Sequence, residues 1–313
     1  MNEKLIGLLR KAGFSSNVEL RNLEGAGSDR IFYRAFEKSK SAIVMAGTGH
    51  GAALEDWIQI QKFLQSLGCS VPKIFSSDLS KPAIVVEDLG EMKKPQSRDY
   101  PRIIRELARL AFLGEKHIDK CPIVRDRPFD FEAFRQESKY FSEYFLMRVK
   151  KIGANEIKKF GDDFDSLALK LSNLQHCFCH RDFQSSNITV KKDKVFIIDF
   201  QSAKRGPLHY DLASLLWDPY AEITDEQRKR SITYYLENIA KLGLHLDEKE
   251  FIADLSLCAI SRLMQALGAY GFLSTEKNKS KFLDYIPRAE KRLKKLLEKS
   301  GIIPELSKIL TNK

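Results

Sequence analysis

Three oxygen-bearing side chains, Asp182, Asn187 and Asp199, stand close together in the chain. Asp182 and Asn187 belong to the run His-Arg-Asp-Phe-Gln-Ser-Ser-Asn, and Asp199 follows the apolar run 195–198. A protein that transfers a phosphoryl group mainly holds the nucleophile in line and neutralises the charge on the phosphates. Asp182 is suited to accept a hydrogen bond from an attacking hydroxyl group, and the other two residues offer the hard oxygen ligands that Mg²⁺ prefers. The stretch therefore predicts a metal-dependent phosphoryl-transfer centre.

A β-hairpin would bring Asn187 and Asp199 to the same metal ion. Residues 189–190 can pair with residues 196–197 if the chain turns at 192–194. The pattern Asp-x4-Asn alone arises often by chance. His-Arg-Asp-x4-Asn followed by a strand pair and then Ile-Ile-Asp-Phe is far more specific, and it favours the phosphoryl-transfer interpretation.

Elements of two kinds surround this stretch. Up to residue 90 the pattern favours strands with one amphipathic helix, and it ends in the connector Glu87-Asp88-Leu89-Gly90. Beyond residue 95, apolar residues recur at helical spacing. The predicted strands are 18–23, 30–36, 42–46 and 82–87, and the predicted helices are 3–13, 54–67, 162–175, 211–217, 225–243, 247–272, 281–299 and 302–311. We predict an α+β protein with a small antiparallel-sheet lobe, 1–90, that binds nucleotide, and a larger, mainly helical lobe, 91–313, that carries catalysis and substrate binding.

A glycine-containing loop, Gly25-Ala26-Gly27-Ser28-Asp29, separates the first two predicted strands. Glycine lets the backbone approach a ligand closely, and successive backbone N–H groups can bind phosphate oxygens. One interpretation therefore places nucleotide phosphates against Gly25, Gly27 and Ser28. An ordinary hairpin turn has the same composition, so both interpretations remain open at this point.

Composition excludes several classes of protein. With 43% hydrophobic residues the chain can form a sizeable core, and its formal charge of +10 is scattered over helix faces instead of forming a nucleic-acid-binding patch. Five cysteines argue against a disulfide framework, and Cys177-Phe178-Cys179-His180 lacks the second ligand pair of a zinc site. We expect no signal peptide, and the sequence has no run of about 18 apolar residues. We predict a cytoplasmic protein with no nucleic-acid or membrane partner, and the oligomeric state stays open.

The motifs resemble those of the kinase-like superfamily. His180-Arg181-Asp182 with Asn187, followed by Asp199-Phe200, matches its catalytic and metal-binding loops, although Gln201 replaces the glycine of protein kinases. No Ala-Pro-Glu segment or long activation loop follows. Gly206-Pro207 and the run Tyr-Asp-Leu-Ala-Ser-Leu-Leu-Trp-Asp-Pro-Tyr at 210–220 are instead similar to the aminoglycoside and choline phosphotransferases, and most of all to bacterial anomeric kinases of N-acetylmuramate and N-acetylglucosamine. The resemblance implies a two-lobed protein-kinase-like fold, ATP and Mg²⁺ as cofactors, and a role in recycling cell-wall sugars.

The resemblance also implies roles at matching positions. Asp182 would be the catalytic base, and Asn187 and Asp199 would be the Mg²⁺ ligands. Backbone groups of Glu87 and Leu89 would hold the adenine ring, and the loop 25–30 would cover the phosphates. Asp211, on the following helix, would brace the loop that carries Asp182.

One position departs from the general kinase pattern. Met45 stands in the third strand, where kinases usually place a phosphate-binding lysine. Arg30 or Arg34 is a candidate for the missing cation. We therefore include both arginines among the predicted nucleotide-binding residues.

Four residues near the catalytic stretch are predicted to contact the acceptor: Gln201, His209, Trp217 and Asp218. An aromatic ring together with a carboxylate suits a sugar, because the ring stacks and the carboxylate accepts hydrogen bonds from hydroxyl groups. A structural role at the helix start is an open alternative for His209, and packing at the helix end is one for Trp217.

The function predicted from these features is ATP-dependent phosphorylation of an alcohol group. The most specific form is transfer to the anomeric hydroxyl of an N-acetylated amino sugar. Two alternatives stay open. In one, the acceptor is an aminoglycoside or a choline-type amine; in the other, Met45 marks a nucleotide-binding pseudokinase.

Overall fold

The computed structural model describes residues 3–23, 31–47, 51–80 and 82–311, and the chain divides into two compact units. The first unit comprises Met1–Lys93 and Thr189–Gln201. The second comprises Lys94–Ile188 and Ser202–Lys313. The division separates a sheet-containing unit from a mainly helical one, which confirms the predicted α+β class and the kinase-like arrangement of elements.

The first unit contains a five-stranded antiparallel sheet with the strand order β1-β2-β3-β5-β4. Two helices accompany it. The bounds are α1 Glu3–Lys11, β1 Glu19–Leu23, β2 Ile31–Glu37, β3 Lys40–Ala46, α2 Gly51–Ser66, β4 Ile74–Asp78 and β5 Ala83–Glu87. Strand β4 lies where the sequence predicts only a short extended piece opening at Val71-Pro72, because Ile-Phe-Ser-Ser-Asp is short and half polar.

Side-chain alternation along the strands gives the sheet two different faces. Ala35, Ala42, Val44 and Val85 form one core with apolar residues of α1. Their neighbours in sequence, including Arg34 and Met45, consequently lie on the opposite face. Met45 is buried there, in register with Phe32 and Ile84.

A β-hairpin carries the second segment of the first unit, and it confirms the predicted pairing. Strands β7 (Ile188–Lys191) and β8 (Lys194–Ile197) form a two-stranded sheet. Lys192 and Asp193 have φ angles of 44° and 63°, which suit the tight turn of a two-residue hairpin loop. The backbone N–H of Ile197 donates to the carbonyl of Ser70 at 3.0 Å, and this bond attaches the hairpin to the unit.

The second unit is built mostly from helices. A second two-stranded sheet pairs β6 (His176–Cys179) with β9 (Lys204–Pro207). The segment Phe141–Val149 continues α5 as a π-helix. The helices are α3 Tyr100–Lys116, α4 Pro122–Arg125, α5 Phe131–Tyr140, α6 Ala154–Lys158, α7 Gly161–Ser172, α8 Tyr210–Leu216, α9 Asp225–Lys241, α10 Glu248–Thr275, α11 Ile286–Ser300 and α12 Pro304–Thr311.

Helix α10 forms the core of the second unit. Its N-cap residue is Asp247, whose side chain accepts a hydrogen bond from the backbone N–H of Glu250 at 2.8 Å. Its apolar window is long enough to cross a membrane, but 67% of that window is buried inside the unit. The π-helix packs closely against it, because Gly268 and Gly271 have no side chains to keep the two backbones apart.

Candidate active site

The loop after β6 carries Asp182, and a buried carboxylate from α8 fixes its start. Asp211 accepts hydrogen bonds from the backbone N–H groups of His180 at 2.6 Å and Arg181 at 2.9 Å. Arg181 has a φ of 72°, so the backbone turns sharply just before Asp182. Burial raises the pKa of Asp211, whereas these donors favour its carboxylate form. The contacts confirm the predicted bracing role of Asp211.

A second buried carboxylate, Asp218, fixes the other end of the same loop. Its side chain is 1% exposed, and it accepts hydrogen bonds from the backbone N–H of Ser185 at 2.7 Å and of Tyr220 at 2.8 Å. Burial raises the pKa of this carboxyl group above its usual range. Asp218 was predicted to contact the acceptor, and these contacts instead favour a role in holding the loop.

Asp182 is held by contacts to both of its carboxylate oxygens. Oδ1 lies 3.2 Å from Nη2 of Arg262, and Oδ2 accepts a hydrogen bond from the Ser202 hydroxyl at 3.2 Å. The backbone carbonyl of Asp182 accepts a hydrogen bond from Nδ2 of Asn187 at 2.9 Å and another from the N–H of Gln184. The side chain is 30% exposed, so the carboxylate remains accessible to a ligand.

Arg262 is the residue of this site that sequence reasoning missed. It lies on α10, is only 7% exposed, and also contacts Gln184, Ser214 and Gln265. Burial acts to lower the pKa of Arg262, but the charge of Asp182 and other neighbours raises it, so the guanidinium stays charged. The signal that could have revealed it is a lone arginine within the apolar run 258–264.

Arg181 belongs to a second buried charge pair next to the loop. Its Nη2 donates to Oε1 of Glu137 at 2.8 Å, and its guanidinium lies 5.3 Å from the centre of the Phe129 ring. The hydroxyl of Tyr210 donates to the other oxygen of Glu137 at 3.2 Å. These contacts anchor the loop to α5 and α8, so the side chain of Arg181 serves the loop's geometry.

Asp199 lies in the first unit, at the end of the hairpin. Its side chain is exposed, its φ is 65°, and Oδ1 accepts a hydrogen bond from Nε2 of Gln201 at 2.7 Å. Phe200, between them, is fully buried, and its ring lies 4.9 Å from that of Trp57 on α2. Burial of Phe200 thus holds the backbone that presents Asp199. The bond from Gln201 links this predicted substrate residue to the predicted metal ligand.

The end of β5 and the segment that follows it contain the predicted adenine-binding residues, Glu87 and Leu89. The backbone N–H of Glu87 donates to the carbonyl of Lys73 at 2.8 Å. Asp88 is 4% exposed at its side chain and accepts a hydrogen bond from the N–H of Gly90 at 2.7 Å. Leu89 lies between these two contacts, so its backbone position is constrained on both sides.

Arg34 contacts this same segment. Its Nε lies 2.9 Å from Oδ2 of Asp88, and its Nη2 donates to the carbonyl of Gly90 at 3.2 Å. The contacts favour a role in fixing the segment after β5. The other predicted phosphate-binding residues, Gly25, Gly27, Ser28 and Arg30, lie outside the described residues.

The two predicted metal ligands carry oxygen donors that suit Mg²⁺. Asn187 uses its Nδ2 group to bind the Asp182 carbonyl, which orients Oδ1 as an acceptor, and Asp199 presents an exposed carboxylate. Among the described residues there is no group of three His, Cys, Asp or Glu side chains that could hold a metal alone. Mg²⁺ is commonly bound by one or two protein oxygens together with substrate phosphates and water.

His209 and Trp217 are both buried. The ring of His209 lies 4.5 Å from that of Phe251, and burial lowers the pKa of this imidazole to about 4. The guanidinium of Arg228 lies 4.8 Å from the centre of the Trp217 ring. These contacts favour the structural alternatives for both residues, the helix start for His209 and the helix end for Trp217.

A cavity of about 440 Å³ lies between α3 and α9 in the second unit. Tyr100, Ile104, Ile223 and Tyr234 provide much of its apolar lining. The predicted site residues do not line it, so its size carries no information about the loop that holds Asp182.

Comparisons with known proteins agree on the family. A family model described as "Phosphotransferase enzyme family" matches residues 19–245. Four curated relatives, 21–24% identical, all bear the name N-acetylmuramate/N-acetylglucosamine kinase. The one from Pseudomonas aeruginosa is 21% identical over 299 residues, which covers 92% of this chain and 87% of the relative.

Solved structures show the same fold. A choline kinase from Cryptosporidium parvum aligns with a TM-score of 0.65 at 16% identity and covers 100% of both chains. An ADP-bound aminoglycoside phosphotransferase aligns with a TM-score of 0.63 at 14% identity and covers 94% of this chain and 97% of the other.

Proposed function

We propose that this chain, which belongs to the phosphotransferase enzyme family, transfers the γ-phosphoryl group of ATP to the anomeric hydroxyl of an N-acetylated amino sugar. The observation that carries the acceptor class is the shared name of the four curated relatives, which align with most of the chain. The structure supports the chemistry through the braced loop of Asp182. N-acetylmuramate and N-acetylglucosamine are the first acceptors to test.

In this proposal Asp182 is the catalytic base. Its carboxylate accepts the hydrogen bond of the acceptor hydroxyl and takes its proton as the new O–P bond forms and the bond to ADP breaks. Arg262 and Ser202 hold the two oxygens of the carboxylate, and Asp211 and Asp218 hold the two ends of its loop. Because the carboxylate is already held in position, little conformational entropy is lost when the reaction reaches its transition state.

The nucleotide part of the proposal involves five further residues. Asn187 and Asp199 would hold Mg²⁺, and backbone groups of Glu87 and Leu89 would hold adenine. When bound, Mg²⁺ neutralises charge on the phosphate oxygens. Arg34 would act through Asp88, because it contacts that carboxylate and the Gly90 carbonyl.

In the acceptor part of the proposal, four residues predicted to contact the substrate have supporting roles instead: Gln201, His209, Trp217 and Asp218. Gln201 would orient Asp199, to which it is hydrogen bonded. Asp218 would hold the loop of Asp182, while buried His209 and Trp217 would support α8. We also place the enzyme in the cytoplasm, where ATP is available and where its five buried, free cysteines would stay reduced.

A second candidate acceptor is an amine-bearing alcohol of the choline or aminoglycoside type. The folds of the choline kinase and of the aminoglycoside phosphotransferase support it at the level of architecture. Fold alone does not select an acceptor, since one fold serves many substrates. A nucleotide-binding protein without transferase activity is the third outcome that an experiment must separate.

The experiment is a panel of acceptors with ATP consumption as the readout. N-acetylmuramate, N-acetylglucosamine, glucose, choline and an aminoglycoside are each incubated with the protein, Mg²⁺ and ATP, and ADP release above the acceptor-free rate is measured. We expect turnover with the N-acetylated sugars. Turnover only with choline or the aminoglycoside would replace the sugar assignment, and nucleotide binding without any turnover would contradict the proposed activity altogether.

A further inference from the structure

We infer that Arg262 is a positioning residue that organises the acceptor end of the site. It holds the carboxylate of Asp182, and it orients the amide groups of Gln184 and Gln265 so that their NH₂ groups donate to oxygen atoms of the acceptor. The inference rests on the proposed function, in which Asp182 is the base. It adds a reason why the site would select an acetamido sugar over an amine.

The buried guanidinium group of Arg262 makes contacts with four polar side chains. Nη2 lies 3.2 Å from Oδ1 of Asp182 and 2.9 Å from Oε1 of Gln184, and Nε donates to the hydroxyl of Ser214 at 3.1 Å. Nη1 donates to Oε1 of Gln265, one turn further along α10. A guanidinium is a rigid, planar fork of donors, so four acceptors in different directions fix its plane. The plane of the fork then determines where each acceptor can lie.

Asp182 gains a fixed orientation and keeps free positions at which it can accept a hydrogen bond. A carboxylate can accept about four hydrogen bonds. Arg262 and Ser202 provide one contact to each oxygen, which leaves acceptor positions for a substrate hydroxyl. The guanidinium has no acidic proton to release near neutral pH, so it cannot protonate Asp182 and abolish its function as a base.

The side chains of Gln184 and Gln265 have the same orientation relative to Arg262. Each gives its Oε1 to Arg262, so each Nε2 group points away from the guanidinium. Within the part of the chain that the structure describes, neither Nε2 group donates a hydrogen bond, and both side chains are half-buried. An NH₂ group of a side-chain amide only donates. Two such donors beside Asp182 complement carbonyl or hydroxyl oxygens, and they do not complement the N–H groups of a cationic amine.

Packing alone gives a poor account of Arg262. The side chain lies in the middle of the core helix, where a charged group carries a large cost of desolvation. Replacing a buried ion pair by apolar residues of similar volume is often neutral or stabilising. A role in positioning charged and polar groups for catalysis explains why the helix carries an arginine there.

The first part of the test separates positioning from folding. Arg262→Gln and Arg262→Lys are compared with Arg135→Gln, which removes another partly buried arginine, paired with Asp165. We expect Arg262→Gln to lower kcat by about 10²-fold or more while the KM for ATP changes less than about threefold. We expect Arg262→Lys to retain more activity than Arg262→Gln, because a single ammonium group keeps the charge but cannot hold four acceptors. Arg135→Gln should keep the kcat of the wild type.

The second part tests the glutamines and does not depend on whether Arg262 variants fold. Gln265→Glu keeps the oxygen that Arg262 contacts and removes the NH₂ donor, whereas Gln265→Leu removes both. We expect Gln265→Glu to raise the KM for the acceptor by about tenfold while the KM for ATP stays unchanged, with a similar or larger rise for Gln265→Leu. If the residue only braced Arg262, the stronger charge pair in Gln265→Glu would leave the acceptor KM unaltered, and the inference would be wrong.

Failure of the inference and failure of the proposed function give different results. A wild-type protein that phosphorylates none of the acceptor panel contradicts the proposed function, and with it the inference that rests on it. A wild-type protein that phosphorylates an N-acetylated sugar, with Arg262→Gln equally active, contradicts the inference only.

Discussion

The carboxylate of Asp211 accepts a hydrogen bond from the backbone N–H of Arg181 at 2.9 Å. It also accepts one from the preceding N–H, of His180, at 2.6 Å. Because Asp211 is 4% exposed, water cannot replace it as the acceptor for these two groups. The contact therefore links the start of α8 directly to the backbone that presents Asp182.

Loss of this carboxylate should weaken both stability and catalysis. Asp211→Asn keeps the shape of the side chain, but it places an NH₂ group against the backbone N–H of either His180 or Arg181. That buried N–H group then loses its hydrogen-bond acceptor. We expect the free energy of unfolding to fall by about 2–4 kcal/mol and kcat to fall by more than about tenfold. Urea denaturation and initial rates measure the two effects.

Asp225→Asn is the matched control, because this aspartate is exposed where it pairs with Arg228 and Lys295. Its effect on unfolding should stay below about 1 kcal/mol. An Asp211→Asn protein as stable and as active as the control would show that the two backbone contacts do not matter.

Arg34 and Asp88 should act as one unit in nucleotide binding. Each of Arg34→Ala and Asp88→Ala is expected to raise the KM for ATP by about 3–10-fold, and the double variant should be no worse than the more affected single variant. The reason is that both changes break the same contacts to the segment after β5. If Arg34 bound phosphate directly, Asp88→Ala alone would leave the KM nearly unchanged, and the effects would not overlap.

Gly271 should not tolerate a methyl group. A Cβ at this position would collide with the backbone oxygen of Tyr144 in the π-helix, and backbone cannot rotate away as a side chain can. We expect Gly271→Ala to lower the free energy of unfolding by about 2–4 kcal/mol. Gly161→Ala is the control, since nothing lies within 4 Å of a Cβ there, and it should be neutral or slightly stabilising. Equal stability of the two variants would contradict the close packing of the π-helix on α10.

His209 should make the fold sensitive to mild acid. Burial lowers its pKa from 6.5 to about 4, so between these values the unfolded chain binds a proton that the folded chain does not. Its contribution to stability is complete above pH 6.5 and is lost as the pH falls toward 4. Between pH 7 and pH 5 this linkage amounts to about 2 kcal/mol.

Urea denaturation at both pH values measures this linkage. The wild type should lose about 2 kcal/mol more than His209→Gln over that interval, and His245→Gln, at an exposed position, should follow the wild type. The account of His209 would be wrong if His209→Gln had the same pH dependence as the wild type.

Local patterns predicted much of the fold and part of the candidate site. The hairpin at 188–197 follows from strand alternation on either side of a turn, and the bracing by Asp211 was expected from the position of that residue in a motif. Strand β9 was not predicted, because Lys-Arg-Gly-Pro has no strand propensity and becomes a strand only by pairing with β6. Its pairing depends on tertiary contact that a local pattern does not encode.

The features of the site that the sequence did not predict are contacts between residues that lie far apart in the chain. Arg262 lies 80 positions from Asp182 in sequence and Arg34 lies 54 from Asp88, so neither pair has a local pattern. Asp218 and His209 were expected near the acceptor, and their burial favours structural roles, which polarity alone does not reveal. The tertiary fold decides whether a polar residue faces a ligand or supports a loop.

The rate of sugar phosphorylation by Asp182→Asn is the most direct test of the account. The substitution keeps the size of the side chain and, through Oδ1, its contact to Arg262. It replaces the oxygen that accepts the Ser202 hydrogen bond by an NH₂ group, from which the Ser202 hydroxyl can accept a hydrogen bond, and it removes the base. We expect the rate of ATP-dependent phosphate transfer to N-acetylmuramate or N-acetylglucosamine to fall by about 10³-fold or more, while ADP binding stays unchanged. In the product that the wild type forms, nuclear magnetic resonance should show coupling between phosphorus and the anomeric proton. An Asp182→Asn protein that phosphorylates the sugar at the wild-type rate would contradict the assignment of Asp182 as the catalytic base.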